Sequence, residues 1–438
     1  MRSWPRLLSA GQLDAGFGSL ATLAVGLFAA SQLDPDTLGA YAIVFAAFVL
    51  ATEVPAELVF IPGEIMAVAL PAERRSAYLR TTIPLGMRFA FPSTLLVVAS
   101  ASLVADAVDR PVLVALTVSA AINVVVSPTQ DHLRRMLHLS GKSWSAAGVS
   151  AVNLALVLGA IMALGATAGA GWVPYGALVT GNLVSLLVGW RVVHPGPVVL
   201  VSRPTLPEFM AVGRWLLVVG ALAAGGGLAS SAIVELLAGT HILGYAEGAR
   251  VVGRPIQVVA LGLLAVVGPR AMESALAMNV DRARSLRRRF AWLSLAASLP
   301  YAALVAGPWA WNPLADPLPN AYAVEGLVFV TAVANTIQSL TYPQRSELAG
   351  SRQQVRLATV EVAANAAQVA LAFTAVWIGA FAIPVSAIFA ALTRWGMYAR
   401  ALNRYYRPSA GMGRLDHPLE GDGPTRAPRH GERGQTEP

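Results

Sequence analysis

The sequence predicts an all-α polytopic membrane protein, with about twelve transmembrane helices in two pseudo-symmetric six-helix bundles. Three observations carry that prediction. Hydrophobic residues form 55% of the chain and charged residues 13%, and a soluble domain carries about twice that share of charge. Apolar blocks recur along the chain at about 20 residues, the length a helix needs to cross a bilayer. The blocks are continuous, whereas a barrel needs short strands of alternating polarity and a soluble helix needs an amphipathic period. Basic residues, finally, gather between every second block.

In order, the blocks place helices near 12–31, 39–68, 81–104, 110–128, 145–166, 172–191, 212–237, 243–268, 290–308, 322–340, 356–376 and 379–399. The charges support the count independently. Arg74, Arg75 and Arg80 follow the second helix, and Arg134, Arg135 and Lys142 follow the fourth. Arg270, Arg282, Arg284 and Arg287 to Arg289 follow the eighth, and Arg345 and Arg352 follow the tenth. The alternate loops are short and carry Asp34, Asp36, Asp106, Asp109 and Asp316, with Arg110 as their one basic residue. The positive-inside rule then puts the even loops and both termini in the cytoplasm of a multi-pass inner-membrane protein. Residues 1–191 form an N-terminal lobe, 192–211 a basic cytoplasmic connector, 212–405 a C-terminal lobe and 406–438 a disordered cytoplasmic tail, rich in Gly, Pro and charge. The opening, MRSWPRLLSAGQLDAG, does not read as a signal peptide, because Gln12 and Asp14 interrupt its apolar run.

The two halves echo each other. Residues 31–42 read SQLDPDTLGAYA and residues 236–246 read LLAGTHILGYA, so Gly39 corresponds to Gly244. After the fourth helix of each half, RMLHLSGK at 135–142 corresponds to RSELAGSR at 345–352. The order, topology and similar offset of the two echoes indicate a duplication. With six helices per half the repeat is parallel, its pseudo-twofold axis along the membrane normal.

Several chemistries find no residues. The chain has no cysteine, which removes disulfides, zinc thiolates and thiol nucleophiles. The histidines have no metal-ligand spacing, and no phosphate-binding glycine loop sits between a strand and a helix. We expect no catalytic residues, no metal, no cofactor and no enzymatic activity. The net charge of +8 reads as topology signalling and anionic-lipid contact, not as nucleic-acid binding.

The extracellular turn ending in LGAYA, the loop RMLHLSGK and the segment LGYAEGARVVGRPIQVVALGLLAVVGPRA at 243–271 together resemble the multidrug/oligosaccharidyl-lipid/polysaccharide (MOP) exporter superfamily, over about residues 1–405. Within it, the Wzx-like polysaccharide transport branch, of polysaccharide biosynthesis proteins, is the nearest likeness. The resemblance implies a V-shaped, MATE-like pair of bundles with a central cavity open alternately to either side. It also implies a flippase for a lipid-linked oligosaccharide, with polysaccharide polymerases or glycosyltransferases as partners.

Helix eight holds the sharpest clue. Counted from Gly244 at about 1.5 Å per residue, Arg250 lies roughly 9 Å and Arg254 roughly 15 Å into the membrane. With Glu247 they share one face. An arginine facing lipid there costs at least about 2.5–3.5 kcal/mol, so the face should meet protein or a wet cavity. Two readings stand. Either acids neutralise both arginines, or one positive charge stays exposed to bind the diphosphate of a polyprenyl carrier, for which the planar guanidinium fork is suited. Pro255 should kink this helix, as a hinge or as a packing bend. Arg88, in helix three, is a further candidate for substrate, with snorkelling to the interface favoured. Asp14, Glu53, Glu57 and Glu361 are candidate counter-charges or carriers of coupled protons or sodium ions. Glu53, Glu57 and Glu64 share a face of helix two, and Glu361, Asn365 and Gln368 form a polar stripe in helix eleven. The leading functional reading is a polyprenyl-diphosphate oligosaccharide flippase working by alternating access. A cation-coupled multidrug exporter of the same superfamily would prefer an acidic cavity. A membrane glycosyltransferase would need a paired acidic motif and a large outer loop.

Overall fold

The computed structural model describes residues 4–68, 70–165, 170–193, 205–351 and 353–407. Arg352, most of the expected connector and nearly all of the expected tail lie outside these residues. Sixteen α-helices are described. The first half comprises α1 (Trp4–Gln32), α2 (Pro35–Pro55), α3 (Ile61–Val68), α4 (Ala72–Ala101), α5 (Arg110–Leu139), α6 (Ser143–Gly165) and α7 (Val173–Val192). The second comprises α8 (Leu206–Ala238), α9 (Thr240–Leu276), α10 (Val280–Val305), α11 (Pro319–Tyr322), α12 (Leu327–Ser339), α13 (Tyr342–Gly350), α14 (Gln354–Ala372), α15 (Ala375–Ile378) and α16 (Ala382–Tyr406). A π-helical turn, Ala56–Phe60, joins α2 to α3, so these two form one crossing. Together α12 and α13 form another, and α11 and α15 are single turns, which leaves twelve crossings among the described residues.

Eight of the described helical spans are long and apolar enough on their own to cross a membrane, and α9 joins them if its two arms count as one. Of the remaining three, α10 carries the Arg287–Arg289 run, and α12 is short before it continues into α13. The arms of α9 meet at 48° between Leu264 and Val266. The sharp bend of this helix is therefore not at Pro255, which sits inside the arm Thr240–Leu264. Pro269 explains the displacement, because a proline ring collides with the carbonyl four residues earlier, here that of residue 265.

Helix ends are the other correction. The α5 helix runs to Leu139, so most of the expected loop at 129–142 is helical, and only Ser140 to Lys142 turn. Likewise α9 and α10 absorb most of 269–289. Each bundle packs mainly on itself, and α2 and α9 cross between them, with α8 and α1 alongside. The crossing is reciprocal. A Cβ on Gly39 would land on the backbone carbonyl of Thr240, and a Cβ on Gly244 would land on that of Pro35. Glycine alone admits such an approach. On the same face Asn320 donates to the carbonyl of Leu33 at 2.8 Å. This acidic-loop face is thereby closed between the bundles.

Candidate functional site

A cavity of about 810 Å³ lies between the bundles, below the glycine crossing. Five arginines line it: Arg134 and Arg135 of α5, Arg250 and Arg254 of α9, and Arg394 of α16. Asp131 is the one acid among the described lining residues. The carboxylates that balance the arginines stand mostly behind them.

The α9 group forms as the helical spacing predicts. Glu247, buried at 3% exposure, meets Arg250 Nε at 2.6 Å and Arg254 Nη2 at 3.3 Å. One carboxylate thus serves two guanidiniums, and one positive charge is left over. Both side chains line the cavity. Both lie over the ring of Phe45 from α2, with guanidinium carbons 5.4 and 4.9 Å from its centroid. That geometry suits cation–π attraction, worth more when water is excluded. Phe45 stacks in turn on Tyr41, and Phe48 abuts Tyr175. Gly26 of α1 gives Arg254 its room, since a Cβ there would sit 2.8 Å from Nη1.

The other arginines are neutralised one by one. Arg134 takes Asp14 through two contacts of 3.0 Å and Asp131 through one of 2.9 Å. Asp14 also accepts from Ser150 at 2.5 Å and meets His138 at 2.9 Å. Arg394 pairs with Glu361 at 3.0 Å, and Tyr398 donates to the same carboxylate at 2.7 Å. Arg135 pairs with Glu64 at 3.2 Å. Uncharged polar groups fill the walls between. In the first bundle Asn153 donates to Asn182 at 2.7 Å, and Asn182 to Asn123 at 3.1 Å. In the second, Gln257 donates to Asn335 at 2.9 Å.

The sequence candidates divide accordingly. Arg250 and Arg254 line the cavity, and Glu247 stands buried behind them. Arg88 is exposed on α4 and is not among the cavity's lining residues. Asp14 and Glu361 brace cavity arginines from behind. Glu53 and Glu57 approach Gly220 of α8 and do not line the cavity either. Glu64 does not share their environment: the π-turn breaks the expected common face, and Glu64 meets Arg135 and His132 on α5. Gln368 lines the cavity, whereas Asn365 turns to Glu361 and Arg394. The sequence reading passed over Arg394, although an arginine inside an apolar span is itself a signal. It also assigned Arg134 and Arg135 to a topology-signalling loop, because the apolar run ends about a turn and a half before them. No sequence pattern indicated Phe45 as the aromatic neighbour of Arg250 and Arg254.

No protein-family profile matches the chain, and no curated protein matches it in sequence. Solved structures do match its fold. An inward-facing multidrug resistance MATE family transporter of the MOP superfamily superposes with a TM-score of 0.67 at 14% identity, over 90% of this chain and 96% of that one. An outward-facing multidrug resistance MATE transporter gives 0.61 at 13%, over 92% and 96%. A MOP superfamily transporter from Pyrococcus furiosus, described as having a binding pocket of reverse polarity that suggests a different function, gives 0.61 at 13%, over 92% and 96%. The chain is a multi-pass integral membrane protein with the fold of the MATE transporters of the MOP superfamily.

Proposed function

We propose that the chain is a flippase that carries a polyprenyl-diphosphate-linked oligosaccharide across the cytoplasmic membrane by alternating access, for cell-surface polysaccharide synthesis. One observation carries the reading: two guanidiniums share a single buried carboxylate at the cavity wall. A diphosphate would meet this surplus charge at the cavity wall, where a charge-assisted, bidentate hydrogen bond to a guanidinium is a strong interaction. The amides from both bundles offer donors and acceptors suited to sugar hydroxyls. Movement of the charged head would be coupled to a proton or sodium gradient carried by Glu53 and Glu57, neighbouring carboxyl groups on one crossing, neither of which is in a described ion pair with an arginine. The even loops and both termini lie in the cytoplasm under this reading.

A second reading, a cation-coupled multidrug exporter, draws on the two multidrug transporters that share the fold and on the aromatic rings at the cavity. The readings differ in the sign of charge they require. The test is the thermal midpoint of the purified protein, titrated separately with a polyprenyl-diphosphate oligosaccharide and with a cationic dye. A ligand of the folded state raises the midpoint by mass action. The diphosphate should raise it, and Arg250→Ala or Arg254→Ala should shrink that rise. A rise with the dye alone would favour the exporter and move attention to Asp14 and Glu57.

A further inference from the structure

Arg135 belongs to two cavities. It lines the central one, and it also lines a smaller notch of about 300 Å³ between α3 and α5, with Glu64, Ile65, Val68, His138 and Leu139. The floor of the notch is apolar. Ile65 and Val68 are 52% and 55% exposed, although both stand on a helix whose other side is packed. Arg75 fixes the walls by donating to the carbonyls of Val68, Leu70 and Leu139, so the ends of α3 and α5 are held together by one guanidinium.

Adjacent in sequence, Arg134 and Arg135 are held very differently. Arg134 is 17% exposed and is bound by Asp14 and Asp131 together. Arg135 is 47% exposed and has one partner, Glu64 Oε2, at 3.2 Å. The other oxygen of Glu64 is occupied independently, by Nδ1 of the fully buried His132 at 3.0 Å. If Arg135 turns to another anion, Glu64 keeps a hydrogen-bonded partner, so the exchange leaves no carboxylate stranded in a dry site, the costly outcome for a buried ion pair. A movable cation at the rim of an apolar floor, itself shared with the central cavity, is complementary to one kind of molecule: an amphiphile with an anionic head and a hydrocarbon chain.

We propose that the notch between α3 and α5 is a second binding site, a loading station for the phosphate-bearing isoprenoid amphiphile that the central cavity then receives. Arg135 takes the phosphate head, and Ile65, Val68 and Leu139 take the first part of the chain. This rests on the flippase reading and adds a site that the reading does not require.

The experiment is calorimetric titration of the purified full-length protein with farnesyl diphosphate, and with inorganic pyrophosphate and farnesol as head-only and chain-only probes. Wild type should show two classes of farnesyl diphosphate site. Arg135→Gln should weaken one class roughly tenfold, as expected for losing one charge-assisted hydrogen bond. Ile65→Ser, at an exposed position where folding is not at stake, should weaken the same class several-fold and leave pyrophosphate binding unchanged. Arg254→Gln should remove the other class. If Arg135→Gln and Ile65→Ser both bind as wild type while Arg254→Gln loses its site, the loading station is overturned and the flippase reading survives. If Arg254→Gln has no effect while the notch variants lose binding, the notch stands and the central diphosphate site falls. Displacement of farnesyl diphosphate from the notch by phosphatidylglycerol would overturn the proposal, because a bulk lipid would then be its occupant.

Discussion

At the scale of single residues, Glu247 has the greatest effect on its surroundings. It is buried and is the shared partner of two arginines. Replacing it leaves charges without a counter-ion, a change that costs about 3–5 kcal/mol at buried pairs. Glu247→Gln should therefore lower the thermal midpoint sharply, and a second change, Arg254→Gln, should restore part of the loss. Recovery in the double variant is the measurement that separates charge balance from simple packing. Gly26→Val should act on the same group from the other side, since the added side chain needs the space that Arg254 Nη1 occupies. The sequence disclosed this trio because three polar residues at helical spacing in an apolar run admit few readings. Phe45 was invisible, because an aromatic residue in a membrane helix has an ordinary explanation and its contact with α9 comes from a distant part of the chain.

Among the helices, α2 and α9 show how far hydropathy reaches. Asp34 caps α2, accepting from the amides of Asp36 and Thr37 at 3.1 and 3.0 Å. Burial pushes its carboxyl upward, but the hydrogen bonds from Thr37 and Asp36 outweigh that and hold it below its ordinary value. The cap's contribution is thus present above the unfolded carboxylate pKa, near 4, and is lost as pH falls through the lower folded value. Asp34→Ala should cost about 1 kcal/mol at neutral pH and less in strong acid, read from midpoints at the two pH values. The bend in α9 assigns its cause to Pro269, so Pro269→Ala should straighten the helix while Pro255→Ala leaves the bend in place. Distances between spin labels on the two arms distinguish these outcomes. The spans themselves were legible from apolar length and alternating charge. Their ends were not, because His132, Arg134 and Arg135 look like loop to a hydropathy window, yet tertiary partners bury them or pair them within a continuing helix.

For the whole molecule, the reciprocal crossing at Gly39 and Gly244 sets how closely the bundles approach on the acidic-loop face. The correspondence of these glycines was readable from LGAYA and LGYA. That each meets the other helix's first turn was not, since a repeat fixes equivalence and says nothing of contact. Gly39→Ala and Gly244→Ala should each wedge that face apart, and spin labels at introduced cysteines should report a longer distance across it. The chain has no cysteine of its own, so any pair of labels is unambiguous. A different consequence follows from the seat of Arg254. Its guanidinium belongs to the second bundle, is backed by Gly26 of the first, and rests over Phe45, also of the first. Parting the bundles along α1 and α9 would uncover that guanidinium, and closing them would cover it again. The electrical potential inside the cavity is then a function of the angle between the bundles, so an anionic cargo would distinguish one state of the protein from the other by voltage as much as by shape.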